Sequence, residues 1–178
     1  MFGNKETGKI TFYYDSDTLF NDVSLMSAYM TKNIQSDKGS LMDEFTISDD
    51  EKDVFGVCVR QSLPNIYEAM MKITAGDSKA FADNIKVSEK ETGGLGRPAG
   101  TYIELTIVDN DSYNENVLNL VDATLYNSLK HGVLAEFYSI CVNTDLYRLA
   151  QDKFTTSLFQ LKQRLFQLKK KAVSSQLS

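Results

Sequence analysis

The chain of 178 residues has the length of one domain and can bury a core without disulfides or metals. A hydrophobic fraction of 42% and a charged fraction of 24% are ordinary for a globular protein. With a net charge of −5 and no apolar run of membrane-spanning length, we expect neither a general nucleic-acid binder, nor a secreted precursor, nor a membrane protein. We therefore predict a single domain over residues 1–178.

The first predicted elements are a strand and a helix. Residues 9–14, KITFYY, are β-branched and aromatic and precede an acidic turn, a pattern typical of a strand. Over residues 17–34 apolar side chains recur at steps of three and four, which predicts an amphipathic helix. Its apolar face contains Leu19, Phe20, Val23, Met26, Tyr29, Met30 and Ile34. Residues 36–40 are predicted to form a loop.

A second helix is predicted over residues 49–74. Ser48 and Glu51 match a capping box, and three acids in the first turn favour a helix start. The apolar stripe contains Val54, Cys58, Val59, Ile66, Met70 and Ile73. Pro64 in the middle predicts a kink or a division into two helices.

A long flexible loop is predicted over residues 76–100, with one short helical candidate at 78–84. The strand YIELTIV follows within residues 101–108 and is expected to pair with residues 9–14 as a small two-stranded element. The loop contains the glycine-rich stretch ETGGLGRPAG. A phosphate-binding loop follows a strand, opens a helix and ends in Lys-Ser or Lys-Thr, whereas this stretch precedes a strand and lacks that pair. We interpret it as a loop, with Gly94 and Arg97 as candidate contacts to a partner.

Two long helices are predicted at the C-terminal end, over residues 113–142 and 145–172. The first has a wide apolar stripe and is expected to be central: Leu118, Val121, Leu125, Leu129, Val133, Leu134, Phe137, Tyr138 and Cys141. The second has the seam of a coiled coil, stepping four and three: Phe154, Leu158, Leu161, Leu165 and Leu168. Phe159 and Phe166 form a neighbouring stripe. One neighbouring helix of the same chain would cover only one of the two apolar stripes. We therefore expect a partner chain to bind the other.

Catalytic and metal-binding residues are sparse. His131 is the single histidine, and Cys58 and Cys141 lie in apolar helical patterns, so we predict no zinc site and no disulfide. The acids around residues 43–53 are explained by solvation and helix capping. Asp109 and Asp111 begin like a calcium loop, but the required glycine and glutamate do not follow. We predict no enzyme activity and no cofactor.

Charge is distributed unevenly. Residues 1–60 contain 11 acids and 6 bases, whereas residues 153–178 contain 6 bases and no acid. The basic helix end can contact phosphates, an acidic partner or water, and it also complements the helix dipole. No base-reading motif accompanies it, so sequence-specific nucleic-acid binding is not expected.

The last two helices, residues 116–140 and 146–171, resemble those of head–tail connector (adaptor-ring) proteins from the neck of tailed bacteriophages. The shared elements are Leu134-Ala135-Glu136-Phe137-Tyr138 and the basic run Leu161-Lys162-Gln163-Arg164-Leu165. Residues 47–70 also look like structural proteins of crAss-like phages. The β element and the 76–100 loop depart from the simplest all-helical adaptors.

This resemblance implies a non-enzymatic virion protein that forms a ring, usually dodecameric, beneath the portal. Its expected partners are the portal protein, neighbouring copies and the next neck or tail protein, with assembly in the bacterial cytoplasm. Genomic DNA would pass the lumen without sequence-specific binding, and an acidic net charge suits that passage. The expected contacts are the C-terminal helix and the glycine-rich loop: Phe154, Leu158, Phe159, Leu161, Arg164, Leu165, Phe166, Lys169, Lys170, Lys171, Gly94 and Arg97.

Two other hypotheses remain open. The chain could be a generic intracellular helical adaptor that binds one partner through its C-terminal helix and forms no ring. It could also be a nucleotide- or phosphate-binding enzyme that uses residues 93–97, although the context of that stretch argues against this.

Overall fold

The structure is a computed structural model that describes residues 9–32, 35–36, 39–40, 45–74, 82–90, 100–107 and 115–169. The strands are β1 (Lys9–Asp15), β2 (Gln35–Ser36), β3 (Gly39–Ser40), β4 (Ala82–Lys90) and β5 (Gly100–Ile107). The helices in these ranges are α1 (Ser16–Thr31), α2 (Lys52–Thr74), α3 (Glu115–Ile140) and α4 (Thr144–Lys169), and a 3-10 turn at Asp49–Glu51 precedes α2. The predicted class, mainly helical with a small β element, is confirmed.

The main sheet is antiparallel with strand order β1-β5-β4. β1 pairs with β5, as predicted, and Phe12 lies opposite Ile103. Ile10, Phe12 and Tyr14 are buried, the period of two expected for a strand with one face on the core. A separate short pairing of β2 with β3 occupies part of the loop predicted over residues 36–40.

β4 corrects the prediction of one loop over residues 76–100. Residues 82–90 pair with β5 along its second edge, so the strand also replaces the end of the helical candidate at 78–84. Its sequence alternates only two β-branched residues, Ile85 and Val87, with polar ones. That signal is short, and the strand is completed by hydrogen bonds to β5, which no local pattern reveals. Residues 76–81 and 91–99 lie outside the described residues.

α1 begins where the sequence predicts. Asp15 is its N-cap, and its carboxylate accepts the Thr18 backbone N–H at 2.8 Å. Leu19, Phe20 and Val23 are buried, which confirms the core-facing stripe over the first half of the helix. Tyr29, placed on that stripe by its spacing, is instead 66% exposed. Ile34 lies outside the described residues.

α2 starts with the predicted capping box. The Glu51 carboxylate accepts the Ser48 backbone N–H at 2.6 Å and the Ser48 hydroxyl at 2.9 Å. Pro64 lies inside the helix, which continues as one element from Lys52 to Thr74, so of the two predicted alternatives, a kink or a division, the division does not occur. Pro64 is exposed, and its ring therefore lies on the face of α2 away from the core.

α3 is the central helix, as its wide stripe predicts. Val121, Leu125, Leu129, Val133, Leu134, Phe137 and Tyr138 are all buried. Gly132 lies where α3 passes closest to both α2 and α4: a Cβ there would lie 2.8 Å from the Ser62 Cβ and 3.0 Å from the Phe154 ring. The absence of a side chain at Gly132 thus lets three helices meet, which is a packing reason for a glycine inside a helix.

Candidate functional site

The candidate partner-binding surface is the outer face of α4. The inner face carries the predicted coiled-coil seam, and Phe154, Leu161, Leu165 and Leu168 are between 0% and 3% exposed. Leu158, the fifth seam residue, is partly buried and packs on the same core. The seam therefore binds α4 to its own chain.

The outer face of α4 carries the second predicted stripe. Phe159 is 61% exposed and Phe166 is 53% exposed. We name this surface the phenylalanine strip: Phe159, Lys162, Gln163 and Phe166, which share one face because residues three, four and seven apart are aligned on a helix. Arg164 lies on a different face of α4, and its guanidinium donates to the Gln167 side chain at 2.9 Å. Exposed aromatic rings on one helix face, with Lys162 between them, form a surface suited to an apolar partner.

The structure divides the predicted contact residues into separate groups. Phe154, Leu161 and Leu165 are buried in the core of their own chain, so the predicted contact residues that expose a side chain on α4 are others. Phe159 and Phe166 are exposed, whereas Leu158 and Arg164 are half-buried. Lys169 ends α4. Lys170, Lys171, Gly94 and Arg97 lie outside the described residues.

The turn between α3 and α4 is a feature that sequence reasoning missed. The Asn143 N–H donates to the Tyr138 carbonyl at 3.1 Å and the Val142 N–H to the Ser139 carbonyl at 3.2 Å, the two bonds of a Schellman motif. Val142 has φ 56° and is 85% exposed. Ile140, two residues earlier, is 49% exposed. Glycine is the usual residue here, and its absence from the sequence hid the motif.

The turn ends in a side-chain cap. The Asn143 side-chain oxygen accepts the Leu146 backbone N–H at 3.0 Å, the geometry of an N-cap. Asn143 therefore starts α4 at the point where the sequence predicts a break.

Gly100, the last glycine of the glycine-rich stretch, has a role in packing. It begins β5, where an added Cβ would collide with the Tyr14 backbone oxygen and the Tyr13 ring. The close pairing of β1 with β5 thus explains this glycine without a ligand.

Titratable groups in the core are shifted toward their neutral forms. Burial raises the pKa of the Cys58 thiol to about 12. Burial lowers the pKa of His131 to about 4. Burial also raises the pKa of three tyrosines: Tyr14, Tyr126 and Tyr138. General acids and bases work best with a pKa near the operating pH, so these groups are poorly suited to proton transfer at neutral pH.

Comparisons with known proteins identify no relative of this chain, so its function is inferred from the fold and the surfaces. No protein-family model, no curated protein and no solved structure matches this chain. Among the described residues, no three His, Cys, Asp or Glu side chains are grouped so that they could hold a metal ion. Within the same ranges, no helix combines the length and apolarity needed to cross a bilayer.

Proposed function

We propose that the chain is a non-enzymatic structural subunit of the head–tail connector in the neck of a tailed bacteriophage. Copies of it form a ring that docks on the portal protein, extends the DNA channel and receives the next neck or tail protein. The observation that carries the proposal is the exposed phenylalanine strip on α4, within the region whose sequence resembles connector proteins.

The helical hairpin of α3 and α4 supports an assembly role. Both helices have 26 residues and are joined by a three-residue turn, so they form a long hairpin with an internal seam and an outer face on which Phe159 and Phe166 are exposed. Two exposed aromatic rings aligned on one helix face, with Lys162 between them, are typical of a docking surface. The portal is the proposed occupant.

Electron microscopy of the purified protein mixed with the portal protein from the same genome tests the proposal directly. We expect portals that carry an added collar. Bare portals beside dispersed protein would contradict the proposal and favour the generic helical adaptor, which forms no ring.

Variants assign the docking to α4. Replacing Phe159 and Phe166 with Gln removes the exposed rings while retaining good helix formers. The matched control replaces Leu25 and Tyr29, which are 58% and 66% exposed on α1, with Gln. We expect the α4 variant to lose portal binding and the α1 variant to retain it. Equal binding by both would exclude the phenylalanine strip as the docking surface.

A further inference from the structure

The exposed side of α4 carries a second seam with the spacing of a coiled coil. Residues on this side recur at steps of three and four, the spacing by which two helices pack along their length. The buried seam of α4 lies on the opposite side of the helix. We name the exposed set the outer seam: Leu149, Asp152, Thr156, Phe159, Gln163 and Phe166. All six residues are exposed, and Leu149, like the two phenylalanines, is a large apolar side chain, 45% exposed.

The outer seam is complementary to itself when two copies of α4 run antiparallel. Residue numbers then rise along one helix and fall along the other, so one aligned pair fixes all the others. Placing Thr156 of one copy opposite Phe159 of the other also places Leu149 opposite Phe166. Each of these pairs occurs twice, because a two-fold axis relates the copies. Four aromatic rings that one copy leaves in water are covered in the pair.

The charged residue of the outer seam favours the antiparallel orientation. In a parallel pair Asp152 would lie opposite Asp152 of the other copy, where two like charges repel inside the contact. In the antiparallel pair Asp152 lies opposite Gln163 of the other copy. Lys162 precedes Gln163, so it lies at the edge of the contact, about 1.5 Å along the axis from the level of Asp152.

Asp152 and Lys162 are both available for such a contact. Asp152 is exposed and Lys162 is half-buried, and neither forms an ion pair with another of the described residues. The antiparallel pair gives each carboxylate a lysine of the other copy, twice in the dimer. The charge pattern of α4 therefore matches a second copy of α4.

We infer that two free copies of the chain pair through their outer seams, with one α4 antiparallel to the other. The contact joins the same face of both copies, so it closes at a dimer and builds neither a ring nor a filament. The inference rests on the proposed function for its biological role, because the dimer covers the phenylalanine strip that docks on the portal. The portal would then displace one copy from the other, whereas the contact itself requires no portal.

Sedimentation equilibrium of the chain alone, over a range of concentrations, measures the pairing. We expect a reversible equilibrium between monomer and dimer. The Phe159→Gln/Phe166→Gln variant removes four rings from the contact, so its dissociation constant should rise at least about a hundredfold. The substituted residues are exposed, so circular dichroism should show unchanged helix content. The Leu25→Gln/Tyr29→Gln control should dimerise as the wild type does.

Two results of this measurement would overturn the inference. One is a wild-type chain that remains monomeric up to about 1 mM, the weakest affinity that such a contact could usefully have. The other is a Phe159→Gln/Phe166→Gln variant that dimerises as strongly as the wild type.

Exchanging charges tests the antiparallel register. Asp152→Lys and Lys162→Asp each place like charges together twice in the dimer, so each should raise the dissociation constant about tenfold at low salt. An equal mixture of the two variants pairs every lysine with an aspartate and should form heterodimers with wild-type affinity. A single variant that dimerises as strongly as the wild type would overturn the inference, as would a mixture no stronger than its components.

The portal experiment remains distinguishable from these. Dimers that depend on the outer seam, together with bare portals, support the pairing and contradict the connector function. Collars on portals together with a strictly monomeric free chain support the function and overturn the pairing.

Discussion

The two parts of α3 are held by different kinds of contact. In the first part, residues 115–130, tyrosine hydroxyls are paired with carboxylates on other elements. Tyr14 of β1 donates to Asp122 at 2.9 Å, and Tyr126 donates to Asp22 of α1 at 2.9 Å. In the second part, residues 131–140, the Tyr138 hydroxyl and His131 Nδ1 are buried without a hydrogen-bond partner among the described residues.

These contacts indicate how the neighbouring elements are positioned on each part of α3. In the first part, the two paired rings stack with centroids 5.3 Å apart, and the Lys130 ammonium lies 4.7 Å from the Tyr126 ring. Such directional contacts orient the sheet and α1 on the central helix. In the second part, close approach at Gly132 and dense apolar packing hold α2, α3 and α4 together at the expense of two unpaired polar atoms. Substitutions in the two parts of α3 should therefore differ in the size and in the sign of their effect on the free energy of unfolding.

The largest effect is expected from Gly132→Ala. Its Cβ would overlap the Ser62 Cβ, which is fixed to the backbone of α2, so the helices must separate. Chemical denaturation should show the free energy of unfolding lowered by about 2 to 3 kcal/mol, despite the better helix propensity of alanine. The matched control is Gly56→Ala on α2, where the new Cβ meets only the Arg60 side chain at 3.7 Å. That variant should be stabilised by up to about 1 kcal/mol, and the same loss in both would contradict close packing at Gly132.

Sequence patterns predicted the helices of this packed region but not how closely they approach. The seam from Phe154 to Leu168 and the α3 stripe follow from spacing alone, because a helix turns by a fixed angle per residue. Gly132 was visible as a glycine within a helical pattern, yet its neighbours Ser62 and Phe154 belong to other helices. The capping box at Ser48 was predicted because its partners are three residues apart.

Contacts between distant residues set the limit of such prediction. Tyr14 and Asp122 are separated by 108 residues, and no local pattern relates them. β4 depends on β5 for its hydrogen bonds, and Tyr29 points outward although its spacing places it on the core stripe. For the candidate surface, the stripe of Phe159 and Phe166 followed from the sequence, whereas the Schellman turn at the start of α4 depends on the positive φ of Val142, a residue type that rarely adopts it.

The next largest effect is expected from Tyr14→Phe. The change removes the hydroxyl that donates to the Asp122 carboxylate while leaving the buried ring in place. The free energy of unfolding should fall by about 1.5 kcal/mol, because a hydrogen bond to a charged group is lost. The double variant with Asp122→Asn completes a thermodynamic cycle, and additive effects would show that the two side chains do not interact.

Acid should destabilise the fold through His131. Its pKa is lowered to about 4 by burial first and then by Lys153 and Lys130, so the unfolded chain binds a proton at higher pH than the folded chain does. This contribution to stability is full above about pH 6.5 and declines as the pH falls toward 4. Between pH 7 and pH 5, the wild type should lose about 1 kcal/mol more than His131→Gln in denaturant unfolding. Parallel pH profiles of the two proteins would refute the assignment to His131.

The smallest effect, and the one of opposite sign, is expected from Tyr138→Phe. The Tyr138 hydroxyl is buried at 0% exposure without a partner among the described residues, so it has lost its hydration and gained no hydrogen bond. Removing it should raise the free energy of unfolding by about 0.5 to 1 kcal/mol, measured by denaturant titration beside Tyr14→Phe. The same substitution would then stabilise one part of α3 and destabilise the other. A loss of stability at both positions would mean that the Tyr138 hydroxyl is paired in solution, most simply with a buried water, and that polar contacts specify both parts of the helix.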